Sequence, residues 1–405
     1  MEAKIELIPL GSITSPRGFQ AGAISAHIKQ QSGSVLDLGI LFSETPCTAV
    51  AVFTTNRIKA APIVLCQERL RCGQASAVII NSGCANAFTA EQGLADAAGM
   101  AKLASEKLGL KPEEVLVSST GVIGPQLPME RIRDGIERLT LSADGGHKLA
   151  RAMMTTDTVP KEIALTCRVD GNEFSIGGVA KGSGMIHPDL ATLLCFLTTD
   201  AALEEGFLRL ALQNAVAGSF NMISIDGDTS PNDMVLIMAN GLSGGEPISP
   251  GSSRADVFNQ ALGEVCVYLA KAIARDGEGA SKLIEVTVSG ANNLAEARQA
   301  ARVIVSSPLV KTAVHGSDPN WGRVIAALGY SGIEFEPSKI DLYLGDVCLV
   351  RDGHGLPFKK EEVVRVLDGA EVPISLKLNQ GQAEATAWGC DLSEEYVTIN
   401  SQYTT

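Results

Sequence analysis

A glycine-rich run that leads directly into an apolar strand lies near the middle of the chain, at residues 181–200. Its first part reads Lys181-Gly-Ser-Gly and ends at Pro188, and glycine and proline of this kind favour turns. The short apolar run at residues 193–197 predicts a buried strand. Thr192 therefore falls where a rigid strand begins, so its hydroxyl can be held in place for chemistry. Threonine is also a common strand residue, and this pattern alone leaves a purely structural role open.

Apolar runs and amphipathic runs alternate along the rest of the chain, which predicts an α/β (α+β) fold. Predicted strands lie at residues 49–56, 76–83, 115–119, 163–169, 173–178, 284–288 and 340–344. Asp170-Gly171, between two of these strands, predicts a hairpin turn. Predicted helices lie at residues 91–108, 129–141, 147–154, 203–217, 257–275, 294–306 and 361–367. The pattern changes after residue 282, so we predict a larger domain at residues 1–282 and a smaller α+β domain at residues 283–405.

The balance of charge and the cysteine content exclude several classes of protein. The 405-residue chain has a net charge of -13, and such an acidic surface argues against nucleic acid or an anionic membrane as the main partner. No apolar run approaches the roughly 18 residues of a membrane-spanning helix, and the first residues lack the core of a signal peptide. The 9 cysteines form no Cys-x-x-Cys pair and the 5 histidines are widely spaced. We therefore expect reduced cysteines, a cytoplasmic protein and no metal site.

A second stretch of chemical interest is the apolar run at residues 115–119, which leads into Thr120-Gly121. Glycine lets the backbone turn so that amide groups face outward. Two donors aimed at one point stabilise a developing oxyanion. An ordinary turn between a strand and a helix gives the same pattern, so both interpretations remain open at this stage.

Several longer motifs occur in the order found in one enzyme family. They are Val-Phe-Thr-Thr-Asn at residues 52–56, Lys-Gly-Ser-Gly-Met-Ile at 181–186 with Pro188 and Ala191-Thr192 behind it, and Asp-Pro-Asn-Trp-Gly-Arg at 318–323. On these motifs the chain resembles the ornithine acetyltransferase (glutamate N-acetyltransferase) family over residues 18–405. The resemblance implies the layered α/β/β/α sandwich of N-terminal nucleophile enzymes, with a smaller C-terminal α+β domain.

The same resemblance implies that the protein cleaves its own backbone between Ala191 and Thr192. The products would be an α chain of residues 1–191 and a β chain of residues 192–405, assembled as α2β2. Thr192 would then carry a free α-amine, whose pKa of about 7.7–8.0 suits a base for its own hydroxyl. One residue would thereby serve as nucleophile and base without a histidine.

Further site residues follow from the resemblance. Thr120 and Gly121 correspond to the family's oxyanion hole. The substrate-contacting residues of the family correspond to Thr158, Glu278, Asn400 and Thr405. Thr192 would bind the acetyl group of the substrate, and Lys181 is added to the predicted substrate-binding residues on chemical grounds. Both substrates carry an α-carboxylate, for which Lys181 is the candidate cation, although it can also serve only to orient its loop. Glu278 is the candidate partner for the side-chain ammonium of ornithine.

The implied reaction moves an acetyl group from N2-acetyl-ornithine to Thr192 and then to glutamate, with no cofactor. Acetyl-CoA as a co-substrate stays open. So does the substrate preference, because His187 and Asp189 depart from the family's pattern; Cys84 departs too and is expected to be a small buried residue.

Two other classes of protein remain as alternatives to the acetyltransferase. A self-processing N-terminal nucleophile amidohydrolase or aminopeptidase would hydrolyse its substrate rather than transfer the acyl group. A non-enzymatic protein that binds metal or phosphate around Asp226-Gly-Asp228 would leave its chain uncut.

Overall fold

The computed structural model describes residues 3–29, 35–187 and 193–402. The chain divides into two compact units. Unit 1 takes the described residues of Met1–Gly182, Asp189–Ala217 and Thr229–Leu269, and unit 2 those of Ser183–Pro188, Gly218–Asp228 and Ala270–Thr405. The domain boundary predicted after residue 282 stays a prediction.

Strands and helices are interspersed along the described chain. The strands are β1 (Lys4–Leu7), β2 (Phe19–Ile24), β3 (Leu38–Phe53), β4 (Gln74–Cys84), β5 (Val115–Val122), β6 (Lys161–Val169), β7 (Asn172–Lys181), β8 (Leu194–Thr199), β9 (Ile223–Ser224), β10 (Met234–Ala239), β11 (Leu283–Ala291), β12 (Asp341–Leu344), β13 (Val347–Arg351), β14 (His354–Gly355), β15 (Glu371–Lys377) and β16 (Ala383–Cys390). The helices are α1 (Ala61–Arg69), α2 (Ala90–Leu108), α3 (Met129–Arg138), α4 (Gly146–Met153), α5 (Glu205–Ala217), α6 (Ser253–Arg275), α7 (Leu294–Ser306), α8 (Pro308–His315), α9 (Gly322–Gly329), α10 (Lys360–Leu367) and α11 (Glu394–Gln402).

Unit 1 is built on a mixed sheet with the order β1-β6-β7-β8-β10-β3-β4-β5, in which β2 also pairs with β3. The strand β8 lies between the antiparallel β7 and the parallel β10. Leu194 at the start of β8 is opposite both Lys181, the last residue of β7, and Met234, the first residue of β10. The ends of three strands thus meet at one edge of the sheet.

Both faces of this sheet are buried at β4. Along β4, Val78 and Ile80 point into one hydrophobic cluster, where they join Phe196 and other apolar residues of the sheet. Their neighbours Ala77 and Ile79 point into a second cluster, which residues of α2 and α3 complete. Strands that are buried on both faces have continuous apolar runs rather than alternating ones, which is why the sequence pattern at residues 76–83 indicated a buried strand.

Unit 2 contains a second mixed sheet with the order β14-β13-β12-β15-β11-β16-β9. Its inner strand β11 runs parallel to β15 and antiparallel to β16. The side chains of Ile284, Val286 and Val288 alternate along β11 and are fully buried. Helix α7 begins after Asn293, whose side chain accepts a hydrogen bond from the backbone N–H of Glu296, and such a cap satisfies a donor that the first turn leaves free.

The predicted mixed α/β fold is confirmed, and most predicted elements are present. The hairpin predicted at Asp170-Gly171 joins β6 to β7, and both turn residues have positive φ (50° and 78°), as a two-residue hairpin turn requires. The helix predicted at residues 129–141 ends earlier, at Arg138, because Leu139 has an extended backbone and Ser142 forms a bridge with Ala21. Within the described ranges, no helix is long and apolar enough to cross a membrane.

Candidate functional site

The end of β5 brings Thr120 and Gly121 against the neighbouring strand β4. The φ of Gly121 is +130°, and a Cβ at this position would lie 2.4 Å from the carbonyl carbon of Gly83. Only glycine fits so close an approach of two backbones. The amide of Asn232 holds the same region, because its Nδ2 donates to the carbonyl of Ser119 at 2.8 Å. The predicted oxyanion residues therefore lie in a tightly fixed piece of backbone.

Lys181 contacts Thr120 across unit 1. Its side chain is buried, and its Nζ lies 3.4 Å from Oγ1 of Thr120. An ammonium group donates hydrogen bonds and accepts none, so Lys181 donates to the threonine oxygen. The hydroxyl hydrogen of Thr120 can then be directed at another acceptor. A hydroxyl donor and a fixed positive charge thus lie together in unit 1.

The carboxylate of Asp157 ties Lys181 to the preceding loop. Its Oδ1 accepts hydrogen bonds from Nζ of Lys161 and from the backbone N–H of Gly182, both at 2.7 Å, and its Oδ2 accepts from the N–H of Thr155 at 3.0 Å. Burial acts to raise the pKa of Asp157, but the charges of Lys181 and Lys161 prevail and lower that pKa to about 2. Asp157 is therefore ionised at neutral pH and compensates two buried lysines.

Replacing Asp157 with asparagine is expected to destabilise the protein in a pH-dependent way. The folded pKa of about 2 lies below the ordinary value of 3.8, so this carboxylate stabilises the fold above pH about 4 and stops doing so as the pH falls towards 2. The shift of nearly 2 pH units corresponds to about 2.5 kcal/mol. The free energy of unfolding in urea, measured from pH 7 to pH 2.5, should show a gap between wild type and Asp157→Asn that closes in acid.

The control for this measurement is Asp144→Asn, because Asp144 is an exposed turn residue of the same unit. Its effect on the free energy of unfolding should stay small, within about 0.5 kcal/mol, at every pH. A gap for Asp157→Asn that stays constant down to pH 2.5 would show that this carboxylate does not carry the lowered pKa.

Asp233 is a second buried acid next to Lys181. It immediately precedes β10 and is 1% exposed. Burial raises the pKa of Asp233 well above its usual range, against the opposing influence of the Lys181 charge and of the backbone amide of Leu193. The next residue, Met234, begins β10, and its N–H donates to the carbonyl of Leu193 at 3.2 Å. This hydrogen bond fixes the backbone of Asp233 beside the start of β8.

In unit 2, Glu278 and Asn400 are in direct contact. Glu278 is 8% exposed and follows the C-terminal end of α6. Its Oε2 accepts a hydrogen bond of 2.7 Å from Nδ2 of Asn400, on α11. The backbone N–H of Glu278 donates to the carbonyl of Ser183 at 2.8 Å. Two of the substrate-binding residues predicted from the sequence thus form one hydrogen-bonded pair.

The remaining predicted residues fall in two groups. Thr158 is exposed in the loop between α4 and β6, on the same short segment as Asp157. Three residues of the prediction lie outside the described ranges, together with Asp189: Ala191, Thr192 and Thr405. The assignment of nucleophile, cleavage site and terminal contact therefore stays a prediction.

Two of the residues that depart from the family's pattern, Cys84 and His187, have hydrogen-bonding partners. Cys84 is buried, as expected, its Sγ lies 3.3 Å from the carbonyl oxygen of Pro125, and burial raises the pKa of its thiol. None of the 9 cysteines forms a disulfide. Nδ1 of His187 lies 3.3 Å from Oγ of Ser224.

The acidic loop at Asp226-Gly-Asp228 does not have the arrangement of a metal site. Asp226 uses its carboxylate to accept backbone N–H groups, including that of Asp228 at 3.1 Å. Among the residues with described positions, no group of histidine, cysteine and acidic side chains is arranged to hold a metal ion. This local use of an aspartate is typical of turns.

Residues 20–405 match the family model described as the ArgJ family. The chain belongs to the ArgJ family. This confirms the resemblance to ornithine acetyltransferases that the sequence motifs indicated. The relatives are named as arginine biosynthesis proteins. As a member of the ArgJ family, the chain is an acyltransferase of arginine biosynthesis.

Curated ArgJ relatives match the chain along its whole length. The arginine biosynthesis bifunctional protein ArgJ of Dehalococcoides mccartyi is 51% identical over 405 residues, which is 100% of both chains. The protein of the same name from Symbiobacterium thermophilum is 53% identical over 397 residues, or 98% of this chain and 99% of the relative. A crystal structure of the Bacillus halodurans protein is 46% identical with a TM-score of 0.50, and covers 51% of this chain and 97% of its own.

Proposed function

We propose that this chain transfers an acetyl group from N2-acetyl-ornithine to glutamate through an acetyl ester on Thr192. The observation that carries the proposal is the contact between Lys181 and Thr120 in a chain of the ArgJ family. A hydroxyl donor for an oxyanion and a cation for an α-carboxylate are what this reaction needs. Both lie in unit 1, whose strand β8 begins two residues after Thr192.

The first chemical event in the proposal is self-cleavage. The hydroxyl oxygen of Thr192 attacks the carbonyl carbon of Ala191, and the peptide C–N bond breaks as an ester forms. Water then hydrolyses that ester, which leaves a carboxylate on Ala191 and a free amine on Thr192. The Bacillus halodurans chain, which matches 51% of this sequence over 97% of its own length, supports a division into two chains of similar size.

The transfer then proceeds in two half-reactions. The α-amine of Thr192 takes the proton of its hydroxyl, the oxygen attacks the acetyl carbonyl, and the negative charge develops on an oxygen that Thr120 and Gly121 stabilise. The proton passes to the amine of ornithine, which leaves. Glutamate enters next, and its amine attacks the ester carbonyl and carries the acetyl group away. No cofactor takes part in these steps.

Isotope exchange tests the two-step mechanism directly. Wild-type protein is mixed with N2-acetyl-ornithine and labelled ornithine, with no glutamate present. An acetyl-enzyme predicts that label enters N2-acetyl-ornithine at a rate comparable with the overall transfer. Exchange that requires glutamate would contradict the acetyl-enzyme, and hydrolysis faster than transfer would favour the amidohydrolase alternative.

The proposal leaves acetyl-CoA as a testable second donor. Glutamate and acetyl-CoA, supplied without N2-acetyl-ornithine, should yield N-acetylglutamate if the protein is bifunctional in the way the names of its relatives suggest. Because both donors would deliver the acetyl group to the same hydroxyl, loss of Thr192 should abolish both activities. Use of acetyl-CoA by a protein without Thr192 would contradict a shared intermediate.

Replacing Glu278 with glutamine is expected to raise the KM for N2-acetyl-ornithine about tenfold to a hundredfold and to change kcat little. The carboxylate is buried and is held by Asn400, and the proposal pairs it with the side-chain ammonium of the donor. Losing a charged hydrogen bond of this type costs about 1.5–3 kcal/mol. The control is an N-acetylated amino acid of the same length that lacks the ammonium, for which both proteins should have the same KM. An equal rise in KM for both donors would show that Glu278 does not bind the side-chain ammonium.

A further inference from the structure

The carboxylate of Asp226 holds the backbone just after β7 in a fixed conformation. Met185 and Ile186 both donate their backbone N–H groups to it, Ile186 to Oδ1 at 2.9 Å. The carbonyl of Ile186 in turn accepts the N–H of Ile225 at 2.8 Å. Residues 183–187, here called the leader segment, are therefore held against Ile225 and Asp226 through both the N–H and the carbonyl of Ile186.

The conformation that Asp226 holds is a strained one. Met185 has a φ of +58°, in the left-handed region that residues other than glycine seldom occupy. Successive backbone N–H groups around such a residue form a concave site for an anion. The carboxylate of Asp226 occupies that concavity, so its charge offsets the cost of the backbone conformation.

The leader segment also forms one wall around Glu278. Oγ of Ser183 donates to the carbonyl of Asp276 at 2.6 Å, and the carbonyl of Ser183 accepts the N–H of Glu278 at 2.8 Å. A Cβ on Gly184 would lie 2.4 Å from Cδ of Glu278. The backbone of the leader segment is thus packed directly on the carboxylate that is proposed to bind the donor.

Helix α11 contacts both Glu278 and Asp226. Asn400 donates to Glu278 at 2.7 Å, and one turn earlier the hydroxyl of Tyr396 is hydrogen-bonded to Asp226. Burial and the nearby carboxylates of Asp226 and Glu278 raise the pKa of the Tyr396 hydroxyl, so it stays protonated and donates. Asp226 therefore connects to Glu278 by two routes, the leader segment and α11.

We propose that Asp226 is a positioning residue, which sets the place of Glu278 for the acetyl donor and the place of the leader segment for self-cleavage. The inference rests on the proposed function, because the leader segment ends four residues before Ala191. An asparagine at this position would turn an NH2 group towards a backbone N–H. The leader segment would then leave its strained conformation, and Glu278 would lose its packing against the backbone of Ser183 and Gly184.

The test compares Asp226→Asn with wild type and with Asp228→Asn, which removes the same charge two residues away on an exposed side chain. Three quantities are measured: the rate of chain cleavage by intact mass, and KM and kcat for N2-acetyl-ornithine. We expect Asp226→Asn to cleave about tenfold more slowly and to have an about tenfold higher KM, with kcat within about threefold of wild type. The rise in KM should be absent for a donor without the side-chain ammonium. Asp228→Asn should match wild type.

A purely structural role for Asp226 would lower the thermal midpoint and the yield without moving KM, and that result would overturn the inference. If Asp226→Asn does not fold, Tyr396→Phe decides, because it removes only the hydroxyl that donates to Asp226. A KM for N2-acetyl-ornithine raised about threefold supports the inference, and an unchanged KM overturns it. Wild-type protein that neither cleaves its chain nor transfers acetyl groups would refute the proposed function itself. If wild type is active and Asp226→Asn has the same cleavage rate and KM, only this inference is refuted.

Discussion

Replacing Thr192 with alanine is expected to leave the 405-residue chain uncut and to reduce acetyl transfer at least about a thousandfold. The alanine has no hydroxyl to attack the preceding carbonyl, so the ester that leads to cleavage cannot form. Without cleavage there is no free α-amine to act as base, and without the hydroxyl there is no oxygen to carry the acetyl group. Intact mass of the denatured protein and an assay of N-acetylglutamate measure the two effects.

Thr192→Ser is the matched control because it keeps the hydroxyl and removes one methyl group. It should still cleave, more slowly than wild type, and should retain measurable transfer. An uncut Thr192→Ala protein that transfers acetyl groups at the wild-type rate would contradict the role of this residue. So would a Thr192→Ala protein that is cleaved at the same bond.

Replacing Thr120 with valine should lower kcat about a hundredfold to a thousandfold and leave KM within about threefold. The two side chains have the same shape, but valine cannot donate to the oxygen on which charge develops. Removing one such donor costs about 3–4 kcal/mol in the transition state. The ground state carries less charge on that oxygen, which is why KM should change little. Steady-state kinetics with N2-acetyl-ornithine and glutamate separate the two parameters.

Thr120→Ser tests whether the hydroxyl itself is responsible. Lys181 donates to Oγ1 of Thr120 at 3.4 Å, and serine preserves that acceptor as well as the hydroxyl hydrogen. Its kcat should therefore recover to within about tenfold of wild type. A serine variant as impaired as the valine variant would indicate that the methyl group, and hence packing, matters rather than the hydrogen bond.

Local patterns predicted the regular elements well. The continuous apolar runs of the sheet in unit 1, the positive-φ turn at Asp170-Gly171 and helix α7 were all readable because each depends on neighbouring residues. The early end of α3 at Arg138 was not, since it depends on a bridge between Ala21 and Ser142. The motif at Thr120-Gly121 suggested a special backbone, and the close approach to β4 explains why glycine is required there.

Local sequence patterns could not predict which residues support the site. The sequence motifs indicate only Thr158 in the loop that contains Asp157, and Gly182, the partner of Asp157, is 25 positions away. The sequence presents Asp226 only as part of a candidate metal- or phosphate-binding loop, whereas its partner Met185 is 41 positions away. A buried carboxylate that accepts distant backbone amides has no sequence signature beyond an acid in a glycine-rich neighbourhood. Only the fold shows which backbone it holds.

The most direct measurement is peptide-level mass analysis of wild-type protein incubated with N2-acetyl-ornithine alone. The proposed mechanism predicts two polypeptides that meet between Ala191 and Thr192. It also predicts one acetyl group on the hydroxyl of Thr192, lost when glutamate is added as N-acetylglutamate appears. A single uncut polypeptide that transfers acetyl groups at full rate, or an acetyl group carried by any other residue, would contradict it.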